Sequence, residues 1–534
     1  MDPENDSGNL EYKLKLVSIS NNRFNELCTQ MKYRLDEGDN ECIYKIGIND
    51  NGSIQGLSRS EYNTTYENIR SIVKNVNASI INHNMKEFEK NLFIGDILIR
   101  KNDLSLPIEI TIAVAGNVDG GKSSTIGVLT SGQLDNGRGL ARLQIFSHPH
   151  EIETGRTSSV AHHLIGFDNS GSLVNDNISI TKPSWTDIMQ LSNKIIYFND
   201  LAGHEKYLRT TIYGFSSIVP DYSAIIVAAN TGLNKMTKEH IVICLSLKIP
   251  FFIIITKVDM CPDNIYKQTI VNIKRLLKLP VVHKVHYIIN NNNSAALCAK
   301  NMISDNIVPI IPISNVTGHN LPLLKNFLNY LPSRKLFKNN TNNYLEMFID
   351  GDFHITGIGT VVSGLIQNGT VKVNDSILIG PCDGLNKFIP TSVKSIHYKR
   401  IPLQQATAGM YVCLALKKIN RKQISNGMVV ITENNPIRAS MKFTAQISIL
   451  HGHHTTIRYN YQPFLHINTI RQAARVIKIN KLTNIDEGEN VLRTGDKAII
   501  NFKFLHKPEY IKPNFKIIFR ENNIRGIGII TEIL

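Results

Sequence analysis

Residues 116–124 read GNVDGGKSS, two glycines around a four-residue gap followed by a lysine and two serines. The spacing G-x-x-x-x-G-K-[ST] is that of a phosphate cradle. Glycines let backbone N–H groups wrap phosphate oxygens, and a following helix N-terminus adds partial positive charge. The loop assigned to this task is Asn117, Val118, Asp119, Gly120, Gly121, Lys122, Ser123 and Ser124. Lys122 can reach the outer phosphates, and the Ser123 hydroxyl is a hard ligand suited to Mg²⁺. A flexible glycine turn would share the composition. The apolar ITIAVA before the loop and the helical STIGVLTSG after it supply the strand–loop–helix setting that the cradle requires.

Four further stretches carry related chemistry. In NDLAG (199–203), Asp200 ends the strand KIIYF, where a carboxylate linked to Mg²⁺ would sit. Gly203 can offer its N–H to a terminal phosphate, and His204 follows as a side chain able to orient an attacking water, although a lone loop histidine would look the same. In TKVD (256–259), Thr256 and Lys257 close a very apolar strand, and Asp259 can accept both donors on the guanine base-pairing edge. Adenine offers one donor there, so it would leave an acceptor unpaired. The Lys257 stem can lie over the base. In ISNVTG, Ser314, Asn315 and Val316 sit at the tip of IVPIIP, where backbone N–H groups can meet the guanine oxygen. In EIETGRTSS (151–159), Thr157 presents a hydroxyl that can ligate Mg²⁺ only while a γ-phosphate is present, which makes a switch. Each stretch is weak alone; five in order at strand ends and loops reinforce one another.

These residues need a scaffold. From about residue 107, apolar strands (EITIAVAG, KIIYFND, YSAIIVAAN, PFFIIITKVD, IVPIIPIS) alternate with helical stretches, the pattern of a mainly parallel sheet with helices on both faces. NNNNSAALCAKN near 290 interrupts it and reads as a surface insertion. Before this domain, residues 1–105 read as an α+β extension ordered β-α-β-β-α-β, with SIQGL as a strand after the NDNG turn. After the polar stretch LPSRKLFKNNTNN, short strands and glycine turns predict two β-barrels. The expected fold is therefore multidomain: an α+β N-terminal unit, an α/β P-loop GTPase domain over 106–335, and β-barrels over 344–434 and 435–534.

The 534 residues exceed what one core organises, and the net charge of +15 favours a polyanionic partner, although basicity also serves solubility. No apolar run is long enough for a membrane helix, and the acidic, polar start does not resemble a secretory leader. Seven scattered cysteines without a CxxC pair point to a reducing compartment, so the expected location is the cytoplasm. HGHH (451–454) and the histidines between 148 and 163 lack the spacing of a metal site, and YNYQP reads as barrel packing that could also stack a nucleic-acid end.

The chain resembles translational GTPases of the elongation factor Tu and elongation factor 1-alpha type. GNVDGGKS is similar to their GHVDxGK[ST] loop, DLAGHEKY to DxPGHxxY, TKVD to NKxD and SNV to SAL. The forms HEIETGRTSSV, YFNDLAGHEKYLRTT and SNVTG, with YKIGINDNGSIQGL near the start, most resemble GTP-binding proteins 1 and 2. The resemblance implies GTP hydrolysis with Mg²⁺ as cofactor, His204 positioning water, and action on tRNA or other RNA, at the ribosome or in RNA turnover. It implies no DNA or membrane partner, and the protein is expected as a monomer. Asp119 is placed by resemblance to hold a monovalent cation or shape the loop, and a plain turn residue fits equally. Asn117 stands where these proteins have histidine, Thr256 where they have asparagine, and Arg156 where they have an apolar residue. The usual guanine N7 contact therefore does not carry over to Thr256. A regulatory GTPase subunit of a metabolic enzyme and a non-hydrolysing nucleotide-binding scaffold are the alternatives.

Overall fold

Strands such as IAVA, IIVA and FFIII are apolar on both faces, so they are stable only when both faces are covered. The computed structural model describes every residue except 1–2, 6, 103, 147–150, 152–156, 158–159, 177–182, 281, 305, 335, 338–339, 383–386, 436–438, 451–455, 483–490 and 521–523. Arg156, His148, His150 and the HGHH stretch thus lie outside the described residues.

The N-terminal unit runs β1 (Leu10–Lys13), α1 (Asn21–Glu37), β2 (Glu41–Ile46), α2 (Arg59–Asn75), β3 (Ala78–Glu89) and β4 (Leu92–Lys101), with sheet order β1-β2-β4-β3. Both helices pack on one face, where Leu27, Met31, Tyr44, Ile69 and Ile97 are buried. Two expectations fail here. SIQGL is no strand: beyond the turn at Asn49–Gly52 it makes only isolated bridges, Ile54 to Ile48 and Leu57 to Phe93. A strand not read from the sequence, β3, pairs antiparallel with β4. Its ASIINHNMKEFE lies at the sheet edge and is largely solvated, so it lacks the apolar alternation that marks a half-buried strand. The order is β-α-β-α-β-β.

The central domain contains β5 (Ile108–Gly116), α3 (Lys122–Ser131), α4 (Leu140–Leu143), β6 (Ala161–Phe167), α5 (Trp185–Leu191), β7 (Lys194–Asp200), α6 (Leu208–Ile218), β8 (Tyr222–Ala228), α7 (Lys235–Ser246), β9 (Phe251–Thr256), α8 (Asp263–Leu277), β10 (Val285–Ile288), α9 (Asn292–Asn301), β11 (Ile307–Pro312) and α10 (Leu321–Tyr330). Its sheet order is β10-β11-β9-β8-β5-β7-β6, parallel except for β6. One core joins Ile110, Ile112 and Val114 to helices α3, α9 and α10, and the other joins Ala113 and Ala115 to α6, α7 and α8. The stretch near 290 is not a surface insertion. The Asn291 side chain caps α9 by accepting from Ser294 N–H, and Ala295, Cys298 and Ala299 enter the first core. Small residues spaced three and four apart let the helix sit close to α10, a signal that the asparagine run conceals.

The remaining strands are β12 (Glu346–Ile355), β13 (Gly359–Asn368), β14 (Thr370–Lys372), β15 (Ser376–Cys382), β16 (Lys387–Tyr398), β17 (Ile401–Leu403), β18 (Gln405–Thr407), β19 (Tyr411–Lys417), β20 (Val429–Ile431), β21 (Lys442–Ile449), β22 (Phe464–Ile467), β23 (Ile470–Lys481), β24 (Lys497–Phe504), β25 (Lys516–Arg520) and β26 (Ile524–Ile533). The first barrel closes when β15 pairs with β16, and the second runs β21-β24-β23-β22-β25-β26. Among the described residues no helix is long and apolar enough to cross a membrane.

Candidate nucleotide site

Register brings the chemistry-bearing residues to one edge. Val114 of β5 pairs with Asp200 of β7, Ala228 of β8 with Thr256 of β9, and Ile255 of β9 with Pro312 of β11. The C-terminal ends of these strands therefore align, and the loops leaving them converge where ligands bind open α/β sheets. Gly121 adopts φ +89 and caps α3 without any side-chain hydrogen bond, leaving the helix's first amides to the loop. Asp119 is also left-handed (φ +58) and exposed at the loop tip.

Three oxygens meet beneath this loop. Ser123 Oγ donates to Asp200 Oδ2 at 2.6 Å and lies 2.9 Å from Thr157 Oγ1, which in turn donates to the same Asp200 oxygen at 3.3 Å. Asp200 is almost fully buried, and its Oδ1 has no hydrogen-bond partner among the described residues. Burial raises the Asp200 carboxyl above its ordinary range, opposed by Lys122, Ser123 and Thr157. A buried carboxylate with an orphaned oxygen beside two hydroxyls is a hard-oxygen donor set that fits Mg²⁺. Lys122 Nζ donates to the Asn117 carbonyl at 2.8 Å; burial lowers its ammonium pKa, and Asp200 and Asp119 oppose that shift.

Gly203 closes on the cradle. A Cβ there would lie 2.4 Å from Lys122 Nζ and 2.6 Å from the Gly116 carbonyl oxygen, so the approach admits only glycine. His204 is half-buried and faces the same pocket as Val118, Gly121, Lys122, Ser123, Ser124 and Thr157. Its Nδ1 accepts the Lys206 N–H at 3.1 Å, so the neutral ring carries its proton on Nε2.

The residues expected to read the base follow β9 and β11. Thr256 is fully buried and its hydroxyl donates to the Gly120 carbonyl at 2.6 Å, tying β9 to the cradle. Lys257 takes φ +60, and Asp259 is exposed. Ser314 Oγ accepts the N–H groups of Val316 and Thr317 at 3.2 and 3.0 Å, which shapes the turn. Asn315 Nδ2 donates to Thr125 Oγ1 of α3 at 3.0 Å, and its Oδ1 is buried without a partner among the described residues. The structure thus gathers Val118, Asp119, Gly121 through Ser124, Thr157, Gly203 and His204 around one pocket, bonds Asn117 to Lys122, Asp200 to Ser123 and Thr256 to Gly120, and leaves Lys257, Asp259, Ser314, Asn315 and Val316 at or beyond the ends of β9 and β11.

One pocket residue escaped the sequence reading. Arg142 of α4 also lines the pocket. GLARL carries no spacing that distinguishes this arginine from a surface one. Of the histidines before β7, His162 stacks on Tyr197 at 5.3 Å and bonds Asn199 at 2.8 Å; burial pushes it down to about 4. Tyr461 packs edge-on against Phe519 in the second barrel, whereas Tyr459 is exposed.

Comparison with known proteins agrees with this architecture. Residues 109–333 match the Elongation factor Tu GTP binding domain, 359–431 match Elongation factor Tu domain 2, and 436–534 match the Elongation factor Tu C-terminal domain. GTP-binding protein 1 of Xenopus laevis is 42% identical over 98% of this chain and 78% of its own length. GTP-binding protein 2 of Mus musculus is 40% identical over 99% of this chain and 88% of its own. Translation elongation factor SelB from Methanococcus maripaludis, solved with the GTP analogue GppNHp, shares the fold with a TM-score of 0.55 at 22% identity, covering 80% of each chain. The chain belongs to the elongation factor Tu-type superfamily of translational GTPases, with GTP-binding proteins 1 and 2 among its relatives.

Proposed function

We propose that the protein is a GTP-hydrolysing switch of the translation-factor type that acts on RNA, aminoacyl-tRNA in the first instance, at the ribosome or in RNA surveillance. The observation that carries this reading is the convergence of Ser123, Thr157 and Asp200 on one oxygen cluster beside Lys122, Gly203 and His204. The loop amides and Lys122 bind the β- and γ-phosphates. Ser123, Thr157 and Asp200 would hold Mg²⁺, which supplies neutralising charge to the phosphate oxygens when bound. Asp259 selects guanine by accepting from both its donors. Thr256 works from behind, holding the Gly120 carbonyl so that the loop keeps its shape. His204 orients the attacking water through Nε2–H, a positioning role, since Nδ1 is already engaged.

Hydrolysis removes the group that Thr157 and Gly203 attend, which frees both loops. Gly203 and His204 precede α6, so the change passes to a helix in contact with both barrels. The +15 charge supports a nucleic-acid partner bound through phosphates, and the cytoplasm is the proposed location. The test is GTP hydrolysis by the purified chain with and without ribosomes and charged tRNA, compared with His204→Ala. The expected result is stimulation by ribosomes that His204→Ala abolishes. Equal, slow hydrolysis by both proteins would replace this reading with a scaffold, and stimulation absent with ribosomes but present with a metabolic enzyme would favour a regulatory subunit.

A further inference from the structure

We propose that Arg142 supplies, from within the chain, a guanidinium that stabilises charge on the triphosphate during hydrolysis. The proposal rests on the reading of the pocket as a GTPase site. Three observations carry it. Arg142 lines the same pocket as Lys122, Thr157, Gly203 and His204, so a second cation stands at the place where phosphates would lie. Its Nε is buried without a hydrogen-bond partner among the described residues, an arrangement that costs free energy unless a ligand completes it. The side chain also has a defined packing surface. It folds over Gly139, where a Cβ would stand 2.4 Å from its Nε, and Gly139 holds φ +91.

The short helix that carries Arg142 is anchored to the nucleotide site on two sides. Ala141 N–H donates to Asp135 Oδ1 at 3.0 Å, and Asp135 N–H donates to the Asn315 carbonyl at 2.9 Å. Ala141 itself is buried in the core against α3. Helix α4 is therefore held beside the cradle and brings Arg142 to the pocket, where electrostatic stabilisation of a transition state would need a cation. In the step it assists, the water oxygen bonds to the γ-phosphorus and the bond from that phosphorus to the β,γ-bridging oxygen breaks. The electron pair stays on GDP, and both protons of the water leave with inorganic phosphate, as dihydrogen phosphate. Negative charge grows on the bridging and γ oxygens, where a planar guanidinium can pair with two at once.

The experiment compares wild-type full chain with Arg142→Ala, Arg142→Lys and Gly139→Ala in single-turnover GTP hydrolysis with ribosomes and charged tRNA. GDP affinity and binding of GDP with aluminium fluoride, a planar mimic of the transferring phosphoryl group, are measured in parallel. Arg142→Ala is expected to slow hydrolysis by about a hundredfold or more while GDP affinity changes by less than about threefold. It is also expected to lose the aluminium fluoride complex. Arg142→Lys should recover only part of the rate, because an ammonium cannot make the paired contact. Gly139→Ala keeps the arginine but displaces it and should show the same rate loss. Unchanged hydrolysis in Arg142→Ala, or an equal loss of GDP and GTP affinity at an unchanged rate, overturns the proposal. A wild-type chain that binds no GTP at all overturns the function reading, and this proposal with it.

Discussion

In the proposed function Thr256 and Ser123 serve the nucleotide by different routes, and substitution separates them. Thr256 touches the loop, donating to the Gly120 carbonyl at 2.6 Å from a fully buried position. Thr256→Val leaves that carbonyl without its partner at similar volume. Isothermal titration is expected to show GTP and GDP affinity falling together by about tenfold, the scale of one lost buried hydrogen bond. Ser123 instead belongs to the oxygen cluster with Thr157 and Asp200. Ser123→Ala should weaken GTP binding by about a hundredfold in magnesium, with little further loss in EDTA. An equal loss in both media would remove Ser123 from the metal set. Of these residues, the cradle and Asp200 were legible because G-x-x-x-x-G-K-[ST] and a carboxylate at a strand end are patterns that phosphate chemistry would require. The service of Thr256 to Gly120 was not, since the two are 136 positions apart and only the sheet register joins them. Arg142 was illegible for the same reason: its meaning comes from where α4 docks.

At the scale of elements, α6 is the link between pocket and barrels. It begins four residues after His204, at Leu208. Tyr213 donates to the Asp350 carbonyl of β12 at 3.0 Å, and Ser216 donates to the Asn468 carbonyl, between β22 and β23, at 2.8 Å. Arg471 of β23 stands over the Tyr213 ring at 3.9 Å, and Arg209 stands over Phe464 at 3.9 Å. A double-mutant cycle between Tyr213→Ala and Arg471→Ala is expected to give a coupling of about 0.5–2 kcal/mol in unfolding free energy. Additivity would mean that the stacked pair carries no tie between helix and barrel. The strands of the central sheet were readable because burial on both faces leaves continuous apolar runs. β3 and α9 were misread, one because a solvated edge strand has no alternation, the other because small residues hide a packed helix inside an asparagine-rich stretch.

Across the whole molecule, buried charge fastens the N-terminal unit to the central domain. Glu41 accepts from Arg100 Nε at 2.8 Å and from Lys194 at 3.2 Å, while Lys194 also donates to the Asn329 and Leu331 carbonyls at 2.8 and 2.6 Å. Burial alone would raise the Glu41 carboxyl, but Lys194 and Arg100 bring it below its ordinary value. Glu41→Ala leaves two cations buried without a counter-charge. It is expected to cost about 3–5 kcal/mol in urea unfolding, with the N-terminal unit coming free first in limited proteolysis.

Glu509, in the second barrel, gives a pH signature of opposite kind. Burial pushes it up to about 7 from 4.5, against Lys507 and the Gln472 hydrogen bond. A raised folded pKa contributes stability that is complete below the unfolded value and lost as pH rises through the folded one. From pH about 4.5 to 7, wild type should therefore lose about 2–3 kcal/mol relative to Glu509→Gln, measured by urea unfolding across that range. Parallel curves would place the carboxyl in an ordinary environment. Neither cluster could be read from the sequence, because Glu41 meets Lys194 and Glu509 meets Gln472 only through the fold.

The most direct test of the account is a titration of the purified chain with GTP and with ATP in magnesium. The account predicts that GTP binds at least about a hundredfold more tightly, because Asp259 accepts two donors from guanine and adenine presents only one. Equal affinity for the two nucleotides would contradict it.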